Sequence, residues 1–439
     1  MMSNKIALIS PRSCFFLKRE DKNLILDNLT GFDVHQRYWS GLTSAFPILA
    51  SLTPSEFEIE IIDENIEDID YNKDYCMVAV TAMTQQAIRA YQICAEFRKR
   101  DIHTVIGGVH SSFETEEASL YADTVVIGEA ENIWQILLSD LKNGTIKKSY
   151  DQKDYPPVDL TKVLIPRYDL LKNKNYKILW LNTSRGCPYD CEFCSVTNFF
   201  GKKMRNKTID QICNEIEFVK KHFPRILIGF GDDNMFVNRK HAYQLLERFK
   251  ELNFKWVAQT DISIGEDKEF LKSLFNAGCQ TVFIGFESLD EKNLEEIYEV
   301  GKKLKKDFFA RYEGMIENIQ SNGIGIWGAF IIGLDNDTSQ TFKTIVDFTE
   351  KANLLGAQIT VLTPLPGTRL RKRLMEEKRL LPTSWENYTL QNINFIPKNI
   401  SYQDIENGII DSMKQIFSEE RRLKVAKYFK DIYINLGKD

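Results

Sequence analysis

Three cysteines set the chemistry open to this sequence: Cys187, Cys191 and Cys194, in the string Ser184-Arg185-Gly186-Cys187-Pro188-Tyr189-Asp190-Cys191-Glu192-Phe193-Cys194. Thiolates hold iron–sulfur clusters, and a four-iron cluster ordinarily takes four of them. A C-x₃-C-x₂-C run with no fourth cysteine nearby implies a cluster with one iron left open, which can bind and reduce a substrate. A zinc knuckle would pair its ligands as C-x₂-C, with a second pair roughly 12 to 20 residues on. The next cysteine is Cys213 and the next histidine is His222, and neither belongs to a pair. Three unrelated buried thiols are the remaining alternative, and the cluster is the stronger reading.

The elements that must position these residues come in two series. Over residues 1–150, strand-like runs at Lys5–Ser10, Phe57–Asp63, Met77–Thr81, Thr104–Ile106 and Thr124–Ile127 alternate with helical stretches such as Gln85–Lys99. That alternation predicts a doubly wound, Rossmann-type parallel α/β sheet. Such sheets bind ligands beyond the carboxyl ends of their strands. Thr81-Ala82-Met83-Thr84, Gly107-Gly108-Val109-His110 and Gly128-Glu129 collect there, and glycine lets backbone approach a bulky ligand. The G-x-G-x-x-G dinucleotide fingerprint is missing after the first strand.

Residues 151–172, with Tyr155-Pro156-Pro157 and Pro166, read as a linker. Over 173–370 the alternation resumes, with strands at Lys177–Thr183, Arg225–Phe230, Trp256–Thr260, Thr281–Phe286, Ile326–Ile332 and Gln358–Thr363. Six βα units suggest a partial (βα)₆ barrel, whose chemistry would sit at the carboxyl ends of its strands. Residues 371–439 form a helical C-terminal segment that could cover the barrel's open side. Within it, Trp385 and Tyr388 read as core packing, with stacking on an apolar substrate the alternative.

At 439 residues the chain has room for two or three domains. Hydrophobic residues at 43% and charged residues at 27% are ordinary for a globular protein. A formal net charge of −5 gives no reason to expect nucleic acid as a partner. No run approaches the ~20 apolar residues that span a bilayer, and the chain starts straight into a strand rather than a signal peptide. Eight cysteines, three in one motif, suit a reducing compartment. A cytoplasmic location is expected, with peripheral membrane contact left open. Cys14, Cys76 and Cys94 read as small core or surface residues, and Cys213 and Cys279 as packed thiols in helix-like contexts.

The cysteine string is similar to that of the radical S-adenosylmethionine (SAM) enzymes. The longer string, with Gly201 and Arg205 downstream, resembles the narrower group that carries an N-terminal cobalamin-binding domain, and within it the branch containing the hopanoid C-2 methylases. The likeness runs over nearly the whole chain. It implies that Cys187, Cys191 and Cys194 hold a [4Fe–4S] cluster whose open iron chelates SAM, with Phe193 near the adenine. Gly231-Asp232-Asp233-Asn234 stands where the family's glycine-rich motif receives the SAM amino group, although it is not the common G-G-E. Carboxylates there, Asp232 and Asp233, suit a cationic ammonium. Glu287 and Ser288 resemble the ribose and carboxylate contacts, and Gly328–Gly333 the strand backing the adenine, which adds Gly333. Each turn has a plainer reading: Asp232-Asp233-Asn234 and Glu287-Ser288-Leu289-Asp290 as helix N-caps.

By the same resemblance, Thr81, Gly107, Gly108 and Glu129 become cobalamin contacts. The family's D-x-H-x-x-G motif is broken: Asp33-Val34-His35 supplies its first half, but Tyr38 stands in the place of glycine. Cobalamin bound without a histidine ligand and a domain kept only as scaffold both stay open, and in neither does His35 ligate cobalt. The resemblance implies an oxygen-sensitive C-methyltransferase acting on an unactivated carbon of a small-molecule or lipid-like metabolite. Its cofactors would be a [4Fe–4S] cluster, SAM and cobalamin, with an electron donor such as flavodoxin or ferredoxin. A radical cyclase, oxidoreductase or carbon-joining enzyme of the same build is the alternative. From another class, a non-catalytic cobalamin sensor or scaffold remains.

Overall fold

The computed structural model describes residues 3–13, 42, 44–297 and 308–437; Cys14, Asp33, His35 and Tyr38 lie outside the described residues. The first sheet contains β1 (Lys5–Ser10), β2 (Glu58–Asp63), β3 (Met77–Thr81), β4 (His103–Gly107), β5 (Thr124–Ile127) and β6 (Ser149–Asp151). All pair in parallel, in the order β2-β1-β3-β4-β5-β6. β1 shows why. Its sequence KIALIS has four consecutive buried residues, the mark of a strand covered on both faces. Ile6 and Leu8 enter one core, while Ala7 and Ile9 enter the other. The helix Ala87–Arg98 supplies Ala90, Ile93 and Phe97 to the second core, and Glu131–Asn143 supplies Ile133, Trp134 and Leu137 to the first. That first core runs on into the second sheet without a break.

β6 is a strand the sequence did not announce, and it straddles the expected start of the linker. Only Tyr150 of its three residues is buried, so it is too short and polar to show a period.

The second sheet contains β7 (Ile178–Leu181), β10 (Leu227–Phe230), β11 (Trp256–Thr260), β12 (Cys279–Glu287), β13 (Gly325–Ile332) and β14 (Gly356–Val361), paired in parallel in chain order. β7 and β14 are the two edges, so the sheet is a partial barrel. Between β7 and β10 lies an antiparallel ribbon of β8 (Ser184–Arg185) and β9 (Arg205–Asn206). Cys279 is a correction: it opens β12 instead of sitting in a helix. The preceding helix, Lys268–Asn276, ends two residues before Gly278, which takes φ +94°, and a Cβ there would lie 2.1 Å from the Phe254 carbonyl oxygen. The chain turns at that residue, and Cys279 pairs with Trp256.

The C-terminal segment covers the β14 edge, which would otherwise leave ladder groups unpaired. The Val361 N–H donates to the Leu390 carbonyl (2.7 Å), and Gln391 Nε2 to that of Ile359 (3.3 Å). The helices Tyr402–Ile416 and Glu419–Asn435 follow. Among the described residues, no helix is long and apolar enough to cross a membrane.

Candidate active site

Cys187, Cys191 and Cys194 lie beyond the carboxyl end of β7, where barrel chemistry is expected. All three are partly buried, and none of the described cysteines is in a disulfide. Burial pushes the Cys194 thiol up to about 11 and the Cys191 thiol higher still; the other two cysteines and Glu287 add to the rise at Cys191. The cysteines are therefore near enough to sense one another's charge. Such thiols keep their protons alone and lose them when a metal cation takes the proton's place. The donor set fits iron on those grounds. Among the described residues, no three His, Cys, Asp or Glu side chains converge as on a single metal ion. A cube need not show that, since each thiolate bonds a different iron.

The loop is held at its start by Asp232, 1% exposed just after β10. Oδ1 accepts from the Ser184 N–H (2.5 Å), the Thr183 hydroxyl (2.8 Å) and the Ser184 hydroxyl (2.5 Å), and Oδ2 accepts from the Thr183 N–H (3.0 Å). These bonds occupy the carboxylate that was expected to face the SAM ammonium. Asp233, beside it, accepts from the Gly186 N–H; burial, and then the charge of Asp232, push its carboxyl up to about 7. Neither residue caps the next helix, Arg239–Leu252, whose N-cap is Asn238. Gly186 has φ +94°, and a Cβ there would lie 2.6 Å from the Lys203 carbonyl oxygen, so this position takes no side chain.

Ion pairs grip the loop from two sides. Towards the first sheet, Arg185 and Arg205 meet Glu129 and Glu131. Towards the C-terminal segment, Glu192 accepts from Arg373 Nε (2.6 Å) and Nη2 (3.0 Å). Arg373 also reaches Asp335, which takes Arg379 and Lys398 as well. Backbone contacts follow the same line: the Leu370 N–H donates to the Glu192 carbonyl (3.0 Å), and Arg369 Nη2 to that of Asp190 (2.6 Å). Sequence reasoning missed Arg373 and Asp335. Arg373 sits in an unremarkable basic helix, but Asp335-Asn336-Asp337 just after β13 was visible as an acidic turn at a strand's carboxyl end.

Glu287 ends β12 at φ +61°, a left-handed conformation uncommon for a side-chain-bearing residue, where the β12–β13 register shifts. It stands close enough to raise the Cys191 and Cys194 thiols. Burial pushes its carboxyl from the ordinary 4.5 up to about 7. Ser288, 2% exposed, accepts through Oγ from the Asp290 N–H and the Asn293 amide. The same Asn293 amide donates to Asp337 Oδ1 (2.9 Å), and Asp337 Oδ2 accepts from the Gly333 N–H (2.8 Å). One buried chain of bonds thus joins two turns expected to touch SAM. Here Asp290 is the cap, accepting from the Asn293 N–H. Phe193 packs against the barrel core.

The Glu287 shift carries a pH signature. The folded chain keeps this proton over a range in which the unfolded chain has lost it. The group's contribution is complete below about pH 4.5 and drains away as pH rises to about 7. Relative to wild type, Glu287→Gln is expected to gain stability across that window and hold a constant gap above it. Urea unfolding of the cluster-free chain at several pH values measures this, and a gap constant from pH 4.5 upwards would contradict it.

Thr81, Gly107, Gly108 and Gly128-Glu129 lie at adjacent carboxyl ends of β3, β4 and β5, as the sequence led us to expect. A Cβ on Gly108 (φ +100°) would come within 2.7 Å of Thr81 Oγ1 and 2.9 Å of the Ala82 carbonyl oxygen. That glycine is required by its own turn before any ligand arrives. His110, two residues on, is fully buried; its Nε2 meets the Tyr91 hydroxyl at 3.0 Å, and its Nδ1 has no hydrogen-bond partner. Burial, with Arg371 nearby, lowers its imidazole to about 4. An orphaned nitrogen beside glycine turns at the ligand end of the sheet fits a bound polar group. Trp385 packs edge-on over His110 at 5.0 Å and donates through Nε1 to Glu117 (2.8 Å). Trp385 thus joins the C-terminal segment to the first sheet, while Tyr388, 2% exposed, packs on Trp385 at 4.9 Å and accepts from Arg371 within that segment.

Comparison with known proteins agrees with this geometry. Residues 181–349 match the radical SAM superfamily, 46–138 the B12 binding domain, and 368–437 a domain of unknown function. The chain is 32% identical over 407 residues to bacteriochlorophyllide d C-8(2)-methyltransferase of Chlorobaculum tepidum, covering 89% of each protein. The chain belongs to the B12-domain radical SAM methyltransferase family. Hopanoid C-2 methylase of Rhodopseudomonas palustris is 26% identical, covering 87% of this chain and 72% of that protein. Among solved structures, the radical SAM methyltransferase TsrM of Kitasatospora setae has the same fold, with a TM-score of 0.67 at 17% identity over 94% of this chain and 85% of that one. This family member is an enzyme, and its two sheets are the B12-type and radical SAM units.

Proposed function

We propose that the chain transfers a methyl group to an unactivated carbon of a small-molecule or lipid-like metabolite. The observation that carries this reading is the near full-length similarity to a relative named as a carbon methyltransferase. Cys187, Cys191 and Cys194 would hold the [4Fe–4S] cluster, and the turns at Thr81, Gly107-Gly108 and Gly128 would hold cobalamin. Bound together, these groups and SAM supply a radical that takes hydrogen from carbon and a methyl group to replace it.

The chain's own residues bind and orient. Glu287, when ionised, accepts from ribose hydroxyls, and Ser288 offers a hydroxyl to the SAM carboxylate. Asp233 faces the ammonium and Phe193 lies alongside the adenine, with Gly333 near it; the space a Cβ would take at Gly333 is filled by the Phe395 ring, 3.0 Å away. Asp232 acts one step back, by placing the loop. We assign residues 1–150 to cobalamin, 151–172 to the linker, 173–370 to radical chemistry and 371–439 to the cover. An electron donor such as flavodoxin or ferredoxin would reduce the cluster in the cytoplasm. Peripheral membrane contact would go with an apolar substrate.

Product counting tests the reaction. A methyltransferase of this kind turns one SAM into 5′-deoxyadenosine and another into S-adenosylhomocysteine, so the two should appear in near-equal amounts with product. Extracts of the source cell with methyl-labelled SAM supply the first substrate pool. 5′-Deoxyadenosine alone, with no label in any metabolite, would overturn methyl transfer and favour a cyclase or oxidoreductase. Similarity to the anaerobic magnesium-protoporphyrin IX monomethyl ester cyclase of Rubrivivax gelatinosus, 24% identical over 80% of this chain, keeps that outcome specific.

A further inference from the structure

Glu129 was expected to touch cobalamin, yet both its carboxylate oxygens are already occupied. Oε1 meets Arg185 Nη1 at 2.6 Å and Oε2 meets Arg205 Nη1 at 2.8 Å. Glu131 Oε1 takes the other arm of Arg185, Nη2, at 2.6 Å. None of the four side chains is more than 19% exposed, and two carboxylates against two guanidinia leave the quartet neutral. The partners sit on opposite sides of the interface between the sheets. Glu129 and Glu131 follow β5, next to Gly128, whose N–H takes the Ser112 hydroxyl as acceptor (2.9 Å). Arg185 and Arg205 are paired across the β8–β9 ribbon, and Arg185 lies two residues before Cys187.

The ribbon has little freedom to absorb a displacement. Gly186 is pressed against the 201–203 backbone, and the Cys187 N–H donates to the Gly201 carbonyl (3.3 Å). Arg205 is tied further to the Val158 and Phe200 carbonyls. A ligand seated against the Gly128 turn therefore acts on Glu129, and through two short ion pairs on both strands of the ribbon whose first strand delivers Cys187. Breaking a buried pair by removing one partner leaves the other charge uncompensated, so the quartet favours one placement of the loop.

We propose that Glu129 is a positioning residue that couples occupancy of the ligand turns in the first sheet to placement of the cysteine loop. This rests on the cobalamin reading above and deepens it. Coupling between two sites is reciprocal, so cluster loading must change cobalamin affinity by the factor with which cobalamin changes retention of the cluster.

The test uses the full chain, cluster-loaded and cluster-free, with hydroxocobalamin as probe and bound cobalt counted after anaerobic equilibrium dialysis. Wild type should bind about fivefold tighter or more when loaded. In Glu129→Gln the ratio of the two affinities should fall to about one. A direct ligand contact, or a residue that merely supports the fold, would weaken both states alike and keep the ratio, which overturns the proposal. Equal affinities in the two wild-type forms overturn it as well. Absence of binding in both forms removes the cobalamin reading itself, a result distinguishable from the other two. If Glu129→Gln does not fold, Glu131→Gln, which removes one of the three ion pairs, should show a reduced ratio; a full wild-type ratio there overturns the proposal.

Discussion

Alanine at Cys187, Cys191 and Cys194 together is expected to leave anaerobically reconstituted protein without iron, where wild type holds about four per chain. Cleavage of SAM should fall to background with it. Burial keeps the Cys191 and Cys194 thiols protonated until a cationic cluster ionises them, and without the three cysteines no donor set remains in the loop. Single replacements should be nearly as severe, since no other described cysteine lies in the loop to substitute. Iron content, the visible absorbance of the cluster and 5′-deoxyadenosine release measure the outcome. A triple variant that keeps its iron and absorbance would end the cluster reading. The fold should survive, because the three side chains are only partly buried and lie outside both sheets.

Asp232→Ala should produce the opposite balance, a large loss of stability with the ligands intact. Two backbone N–H groups and two hydroxyls converge on this carboxylate in a buried site. Each buried donor left unsatisfied costs about 1–3 kcal/mol. With some relaxation the whole is about 3–5 kcal/mol, a large part of the stability of an ordinary domain. Cluster retention should fall too, since Thr183 and Ser184 lead straight into the cysteine loop. Asp232→Asn keeps one acceptor oxygen and should lie between. Denaturant unfolding of the cluster-free chain separates this from the contact role suggested by the sequence. A residue that only binds the SAM ammonium would leave stability unchanged and weaken SAM binding alone.

Asp232 shows where sequence reasoning reaches and where it stops. Its position was legible, because barrel chemistry gathers at strand ends and β10 could be read from its apolar run. Its role was not, because the partners at Thr183 and Ser184 are about fifty residues away and nothing in either stretch names the other. Glu129 repeats the lesson across the sheet interface: the turn was found, and the guanidinia that occupy its carboxylate were not. Strands with continuous apolar runs, such as Lys5–Ser10 and Met77–Thr81, came out with their observed bounds, since burial on two faces writes itself into composition. β6 and the helix-like reading of Cys279 went astray where a short polar edge and a single glycine decided the local path. Cys187, Cys191 and Cys194 needed no partner to be recognised; their spacing is local, and so is the loop they make.

The grip on Glu192 has a consequence for the order in which the site is made. Its partner Arg373 lies 181 residues further along the chain. At about 5–20 residues per second, a ribosome needs on the order of ten to forty seconds to reach it. During that interval the face of the loop turned towards Glu129 can already be in place, while the face turned towards the C-terminal segment has nothing to close it. The nascent chain therefore passes through a stage with three thiols presented on an unfinished surface, open to a cluster carrier and to oxygen alike. Loading during synthesis and loading after release are different events for this protein, and the second meets a site already shut on one side.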